Sequence, residues 1–202
     1  MMPIKTSASA VRLEQLIQKR MQPGIDKKKV DEQIWNVFGE EWAVVFTDLS
    51  GFSRRVAEFG IIHFIQTIYE SLRICVPIIE DYDGLLLKIE GDSMLMVFRK
   101  PERAVACCIA MQRAVQKHNE SLPDTEKVLL CIGIGFGKVL RIGDADVYGA
   151  EVNAASKLGE DTAKKLEIMV TGPVQRALKS EFKFEPLDYV PPGTDSAFKL
   201  VY

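Results

Sequence analysis

Two aspartates stand where strand-like runs give way to glycine turns: Asp48 in FTDLSGFS and Asp92 in IEGDSM. A pair of carboxylates with few other ligands leaves positions open for water and phosphate oxygens, which is how proteins usually hold Mg²⁺ for phosphoryl chemistry. Each aspartate taken singly serves as readily to hydrogen-bond the turn that follows it. The turn Leu49-Ser50-Gly51-Phe52-Ser53 runs from a strand into a helix N-terminus, where free N–H groups and the helix dipole favour an anion such as a triphosphate. An ordinary helix cap is the plainer reading. A third cluster, DADVYGAEVNAASKLGE, holds Asp146, Asn153 and Lys157. Asn153 and Lys157 are one helical turn apart and share a face, offering an amide and an ammonium to one region, or else to solvent. Lys88, an ammonium inside the apolar run LLLKI, is costly to bury without a partner.

The elements that must position these groups follow from hydrophobic period. From Trp42, AVVFTDL is a β-branched and aromatic run, predicting a buried strand. SRRVAEFG and IIHFIQTIYESLRICVPIIEDYDG are helix-like, with Ile61, Phe64, Ile65, Ile68, Leu72, Cys75, Val76 and Ile79 at spacings of three and four. LLLKIEGDSMLMVF predicts a hairpin turning at Glu90-Gly91-Asp92. A helix over PERAVACCIAMQRAVQKHN, a strand pair in VLLCIGIGFGKVLRIG, a helix over AEVNAASKLGEDTA, a strand EIMVT, a helix PVQRALK and two strands in FKFEPL and AFKLVY complete the order. This pattern predicts an α+β fold, a ferredoxin-like antiparallel or mixed sheet with helices packed on it. The strands ending at Asp48 and Asp92 can be neighbours there, bringing both carboxylates to one rim. Ahead of the sheet, residues 8–38 predict two short amphipathic helices, so the chain divides into a helical extension over 1–40 and a domain over 41–202. Trp35 and Trp42 flank that junction and are expected to pack there.

Composition excludes several classes of function. The chain has 202 residues, 26 basic against 28 acidic, and a formal charge of −2. Such a balance gives no field that would draw it onto nucleic acid or an anionic membrane, and any anionic ligand must be held by local groups. Cys75, Cys107, Cys108 and Cys131 lie in apolar runs without metal-ligand spacing, which argues against a zinc site or a disulfide framework. The N-terminal residues hold no apolar core of signal-peptide length, and no stretch reaches the roughly 18 apolar residues of a membrane span. A cytoplasmic protein with reduced thiols is expected. His63 and His118 lie on predicted helices and match no catalytic role.

The segments FTDLSGFS, LLKIEGDSMLMVF, CIGIGFGKV and DVYGAEVNAASKL, in that order and spacing, resemble the catalytic domain of class III nucleotidyl (adenylyl and guanylyl) cyclases. The resemblance runs roughly from Trp42 to Tyr202. It implies a head-to-tail homodimer with shared active sites and conversion of ATP to 3′,5′-cyclic AMP and pyrophosphate. Two Mg²⁺ or Mn²⁺ ions per site would be held by Asp48 and Asp92, with the backbone of Leu49 also at the metal. Ser50, Gly51, Phe52, Ser53 and Lys138 match phosphate-binding positions. Lys88 and Asp146 match the base-reading pair, where guanylyl cyclases tend to place Glu and a small polar residue. Asn153 matches the residue that orients the ribose. Most active members carry Arg where this chain has Lys157, and a second phosphate-binding Lys has no counterpart in YVPPGTDSAF. A nucleotide-binding regulatory module with weak or no turnover, or a cyclase for GTP or a pyrimidine triphosphate, therefore stays an alternative. The N-terminal helices are a possible route for an unidentified regulator.

Overall fold

The computed structural model describes residues 8–202, and within them all side chains except those of residues 52–55. In chain order the elements are α1 (Ala8–Arg20), α2 (Lys27–Phe38), β1 (Gly39–Leu49), α3 (Phe52–Phe59), α4 (Ile61–Asp81), β2 (Leu85–Glu90), β3 (Ser93–Phe98), α5 (Pro101–Asn119), β4 (Leu130–Ile142), β5 (Asp146–Tyr148), α6 (Ala150–Ser156), a π-helical turn (Lys157–Thr162), β6 (Ile168–Thr171), α7 (Gly172–Leu178), β7 (Lys183–Pro186) and β8 (Ala197–Val201). The strands form one mixed sheet in the order β2-β3-β1-β4-β6-β8-β7, with β5 paired to β4. Only the β4–β6 pairing is parallel among them.

Alternation along β1 assigns its side chains to two faces. Ala43, Val45 and Leu49 join Met94, Met96, Ile132 and Ile134 beneath α4 and α5, whose Phe64, Cys75, Ile79, Val105 and Met111 complete the main core. Buried positions of α4 recur every three or four residues as Phe64, Thr67, Ser71, Cys75 and Ile79; of the apolar stripe expected there, Phe64, Cys75 and Ile79 are buried, Ile68, Leu72 and Val76 half-buried, and Ile61 and Ile65 exposed. The opposite face carries Trp42, Val44 and Phe46 with Leu95, Val97 and Val139, covered by Val147 of β5 and Val152 of α6. Asp48 continues this second series toward the end of the strand.

One expectation is corrected in β4. Its glycines do not divide a strand pair: residues 130–142 are one continuous strand, antiparallel to β1 from Gly39↔Leu140 to Leu49↔Leu130. Gly133, Gly135 and Gly137 fall on the second face because α6 and the π-turn lie directly on it. A Cβ at Gly133 would meet the Ala155 carbonyl oxygen at 2.1 Å, and one at Gly135 would meet that of Glu151 at 2.4 Å. The predicted helix over 150–163 also ends early, α6 giving way after Ser156 to the π-turn.

The N-terminal helices dock on the far end of β4. Leu16, Val30, Ile34 and Phe38 bury against Ile142, and Asp26 caps α2 by accepting the N–H groups of Lys28 and Lys29. Trp42 packs at this junction between the guanidinium groups of Arg99 and Arg141, 3.9 and 4.5 Å from its ring centroid. Trp35 departs from expectation and is 44% exposed.

Candidate active site

Asp48 and Asp92 meet as their topology predicts. β1 and β3 are adjacent and antiparallel, and the β2–β3 turn places Asp92 beside the end of β1. Burial first, and then the charge of Asp92, push the Asp48 carboxyl up to about 7; the Glu160 carboxylate adds to the effect and the Leu49 N–H opposes it. Ser93 Oγ donates to Asp48 Oδ1 over a long 3.4 Å. Two carboxylates crowded in this way form a donor set that a divalent cation would relieve, so the residues fit the metal that the motif implies. Among the described residues no cluster of three or more His, Cys, Asp or Glu could hold a metal.

The turn after Asp48 is narrower as an anion site than its sequence suggests. The Ser50 N–H is donated to the Leu129 carbonyl at 2.8 Å, the Leu49 N–H faces the Asp48 carboxylate, and Leu49 is 2% exposed. Gly51 takes a left-handed conformation, φ 89°, which turns the chain into α3, and its side-chain-free N-cap leaves the first helical N–H groups, from Phe52 and Ser53 onward, without a side-chain acceptor.

Lys88 and Asp146 come together from β2 and β5. Lys88 Nζ lies 2.5 Å from Asp146 Oδ2, which pushes the ammonium's pKa up, and Glu90 stands 3.8 Å away. Asp146 Oδ1 accepts its neighbour's N–H from Val147 at 2.9 Å, and the Tyr148 hydroxyl also hydrogen-bonds this carboxylate. The pair lines a cavity of about 230 Å³ with Phe46, Glu90, Ser93, Leu95, Val152 and Glu160. Through Ser93 the cavity adjoins the Asp48–Asp92 rim.

Asn153 and Lys157 share α6 and the start of the π-turn, as their spacing requires, yet each is engaged elsewhere. Asn153 Nδ2 donates to the Pro192 carbonyl at 3.0 Å, and Lys157 Nζ pairs with Asp161 at 2.7 Å. Lys138 is exposed and faces Glu41 across the β1–β4 ladder, seven residues along β4 from the partner of Asp48. At about 3.3 Å per residue this is roughly 23 Å from the carboxylate pair, so one protomer does not bring it to the same phosphate. Two acidic residues escaped the sequence reading. Glu160 borders both the cavity and Asp48. Glu151, 8% exposed, accepts hydrogen bonds from the Phe136 N–H and the Thr171 hydroxyl.

Comparison with known proteins bears on this arrangement. Residues 38–192 match the family described as Adenylate and Guanylate cyclase catalytic domain. The chain belongs to this family. Catalytic domains of the class III cyclases act on nucleoside triphosphates, depend on metal and work as dimers. Among curated relatives, the serine/threonine-protein kinase pkn2 of Myxococcus xanthus is 27% identical over 159 residues, which are 78% of this chain and 19% of that protein. The putative adenylate cyclase 3 of Rhizobium meliloti is 26% identical over 116 residues, 57% of this chain and 20% of that protein. The cyclase domain thus matches only about a fifth of the length of either relative. The solved adenylate/guanylate cyclase/hydrolase of Silicibacter pomeroyi superposes with a TM-score of 0.69 at 23% identity, covering 81% of this chain and 98% of that one. Among the described residues of the cyclase domain and its N-terminal helices, no helix is long and apolar enough to cross a membrane.

Proposed function

We propose that the chain is an adenylate cyclase acting as a head-to-tail homodimer, in which Asp48 and Asp92 of one protomer face Lys88, Asp146, Asn153 and Lys157 of the other. The observation that carries this reading is the Lys88–Asp146 pair, a donor and an acceptor held together at the wall of a small cavity. A cavity of about 230 Å³ accepts a nucleobase, and lies below the roughly 300–1,000 Å³ of pockets that enclose whole ligands, consistent with a site completed by a second protomer. Either purine presents an acceptor and a donor to such a pair. ATP is favoured because the family resemblance associates Lys and Asp at these positions with adenine.

Each group then has a task. Asp146 accepts the base's amino group and Lys88 donates to a ring nitrogen, so both members of the ion pair keep a partner. The N–H groups at the start of α3 bind triphosphate oxygens. Asn153 leaves the Pro192 carbonyl to orient the ribose, and Lys157 leaves Asp161 to meet charge building on the α-phosphoryl oxygens. The ribose 3′-oxygen attacks the α-phosphorus in line, forming the cyclic ester as the bond to pyrophosphate breaks. Mg²⁺ or Mn²⁺ held by Asp48 and Asp92 would supply neutralisation of the triphosphate and a lower pKa for the attacking hydroxyl.

The test is product analysis with subunit mixing. Wild-type protein incubated with ATP, GTP, CTP or UTP and Mg²⁺ or Mn²⁺ should give cyclic AMP as the main product. Asp48→Ala and Asn153→Ala should each be inactive alone, and their mixture should regain part of the activity, since one site of the mixed dimer is whole. A mixture that stays dead despite subunit exchange refutes the shared site. The second reading, a nucleotide-binding module with little turnover, is favoured by the Lys157–Asp161 pair and by the lack of Lys in residues 190–197. Nucleotide binding without cyclic product from any triphosphate would establish it.

A further inference from the structure

Helix α6 carries Asn153, and Lys157 follows at its C-cap, but little in its own construction holds it in place. It is 7 residues long, its N-cap Gly149 makes no side-chain hydrogen bond, and a π-turn follows it. Directly beneath, Gly133, Gly135 and Gly137 leave bare backbone under Glu151, Ala155 and Gly159, so side-chain packing of α6 on this face of the sheet comes from Val152, which joins Trp42, Val44 and Val139. Close contact of this kind fixes the distance between helix and sheet far better than it fixes the position along the strand.

Glu151 adds a polar constraint to that packing. Its Oε2 accepts the Phe136 N–H at 3.1 Å and the Thr171 hydroxyl at 2.6 Å, and the Thr194 side chain hydrogen-bonds the same carboxylate. Those three partners belong to β4, to β6 and to the loop before β8. Phe136 lies beyond the stretch of β4 that pairs with β6, residues 132–134, so the carboxylate takes a donor that the ladder leaves over on that side. The same loop touches α6 twice more: Pro192 accepts from Asn153, and Gly193 approaches the Ala150 carbonyl so closely that a Cβ would come within 2.3 Å.

We infer that Glu151 is a positioning residue for the cyclase reaction, a polar peg that sets where α6 stops along the glycine face and so where Asn153 and Lys157 present their amide and ammonium. The inference rests on the proposed activity for its kinetic readout and on geometry alone for its structural one. Glu151→Gln keeps an oxygen for the Phe136 N–H and the Thr171 hydroxyl, whereas Glu151→Ala removes the peg. Lys88 and Asp146, on β2 and β5, are untouched by either change. The Ala variant should therefore lose kcat on the order of 10²-fold, as expected for misplacing groups by about 1 Å, with KM changed by less than about threefold. The Gln variant should return kcat to within about threefold of wild type. Hydrogen exchange should accelerate in residues 150–156 and 190–196 of the Ala variant and stay near wild type in the Gln variant. Should Glu151→Ala fail to fold, Thr171→Val deletes one donor and should show the same pattern, smaller. Unchanged kcat and unchanged exchange in the truncated variant, or a Gln variant as impaired as Ala, would overturn the inference. Wild-type protein that forms no cyclic product would instead overturn the cyclase reading, and the exchange measurement would still decide the role of Glu151.

Discussion

Removing Asp48's charge should stabilise the metal-free protein at alkaline pH. Unfolded, this carboxyl ionises near 3.8; folded, burial and the charge of Asp92 raise it to about 7. Between those values the native state holds a proton that the unfolded state has released, so stability falls as pH rises, down to a floor above pH 7. From pH 5 to pH 8, about two pH units of unequal protonation remain, worth roughly 2.7 kcal/mol at about 1.36 kcal/mol each. Asp48 is only partly buried, and halving for solvent screening leaves about 1.4 kcal/mol. Urea denaturation of EDTA-treated wild type and Asp48→Asn at pH 5 and pH 8 reads this contribution together with its coupling to Asp92 and Glu160, since titrating groups that do not interact with Asp48 cancel in the difference. Wild type should lose about 1.4 kcal/mol more than the variant over that interval. Mn²⁺ should restore wild-type stability at pH 8 and leave Asp48→Asn largely unaffected. Parallel pH profiles for the two proteins, or equal stabilisation by Mn²⁺, would show that the carboxylates are not mutually strained and do not hold the cation.

Other perturbations test other parts of the arrangement. Gly133→Ala places a methyl 2.1 Å from the Ala155 carbonyl oxygen and 2.4 Å from the Gly159 nitrogen, both backbone atoms that cannot rotate away. It should cost more than about 2 kcal/mol, read from the urea midpoint at constant m-value. Lys157→Arg gives the phosphoryl oxygens a planar fork and should raise kcat on the order of tenfold in steady-state assays; an unchanged rate would show that other groups bind the phosphate. Asp146→Ala strands Lys88 without its 2.5 Å partner and should lower kcat/KM for ATP by about 10- to 100-fold, with the ATP-over-GTP preference measured by competition.

How far the sequence reveals the fold depends on what each signal measures. Period and turn chemistry report local surroundings, and they located the helices, the β2–β3 hairpin and the Asp48–Asp92 rim, since Thr47 and Met94 are direct neighbours across β1 and β3. Glycine is ambiguous in the same language. In CIGIGFGKV it marks close approach by a helix from elsewhere in the chain, while the true end of the strand is marked by Gly143, which has φ 58°. The register of a 13-residue strand is equally invisible in spacing: only the ladder shows that Lys138 stands opposite Glu41, at the other end of β1 from Asp48. Glu151 and Glu160 drew no notice in the sequence, because nothing in their local spacing shows what each meets from other elements. One signal did exist: three glycines at alternate positions announce a bare strand face that another element approaches closely.

The glycine face of β4 also bears on how such a site can change. At Gly133 and Gly135 any side chain would displace backbone, so the floor beneath α6 has almost no neutral sequence variation available to it. Under the proposed function, diversity in rate or selectivity would then arise from the roof and walls: the residue at 157, the 88–146 pair, the loop at 190–196 and the residue at 151. A strand of glycines ordinarily reads as the least informative part of a sequence. Here it is the invariant datum from which the adjustable parts are measured.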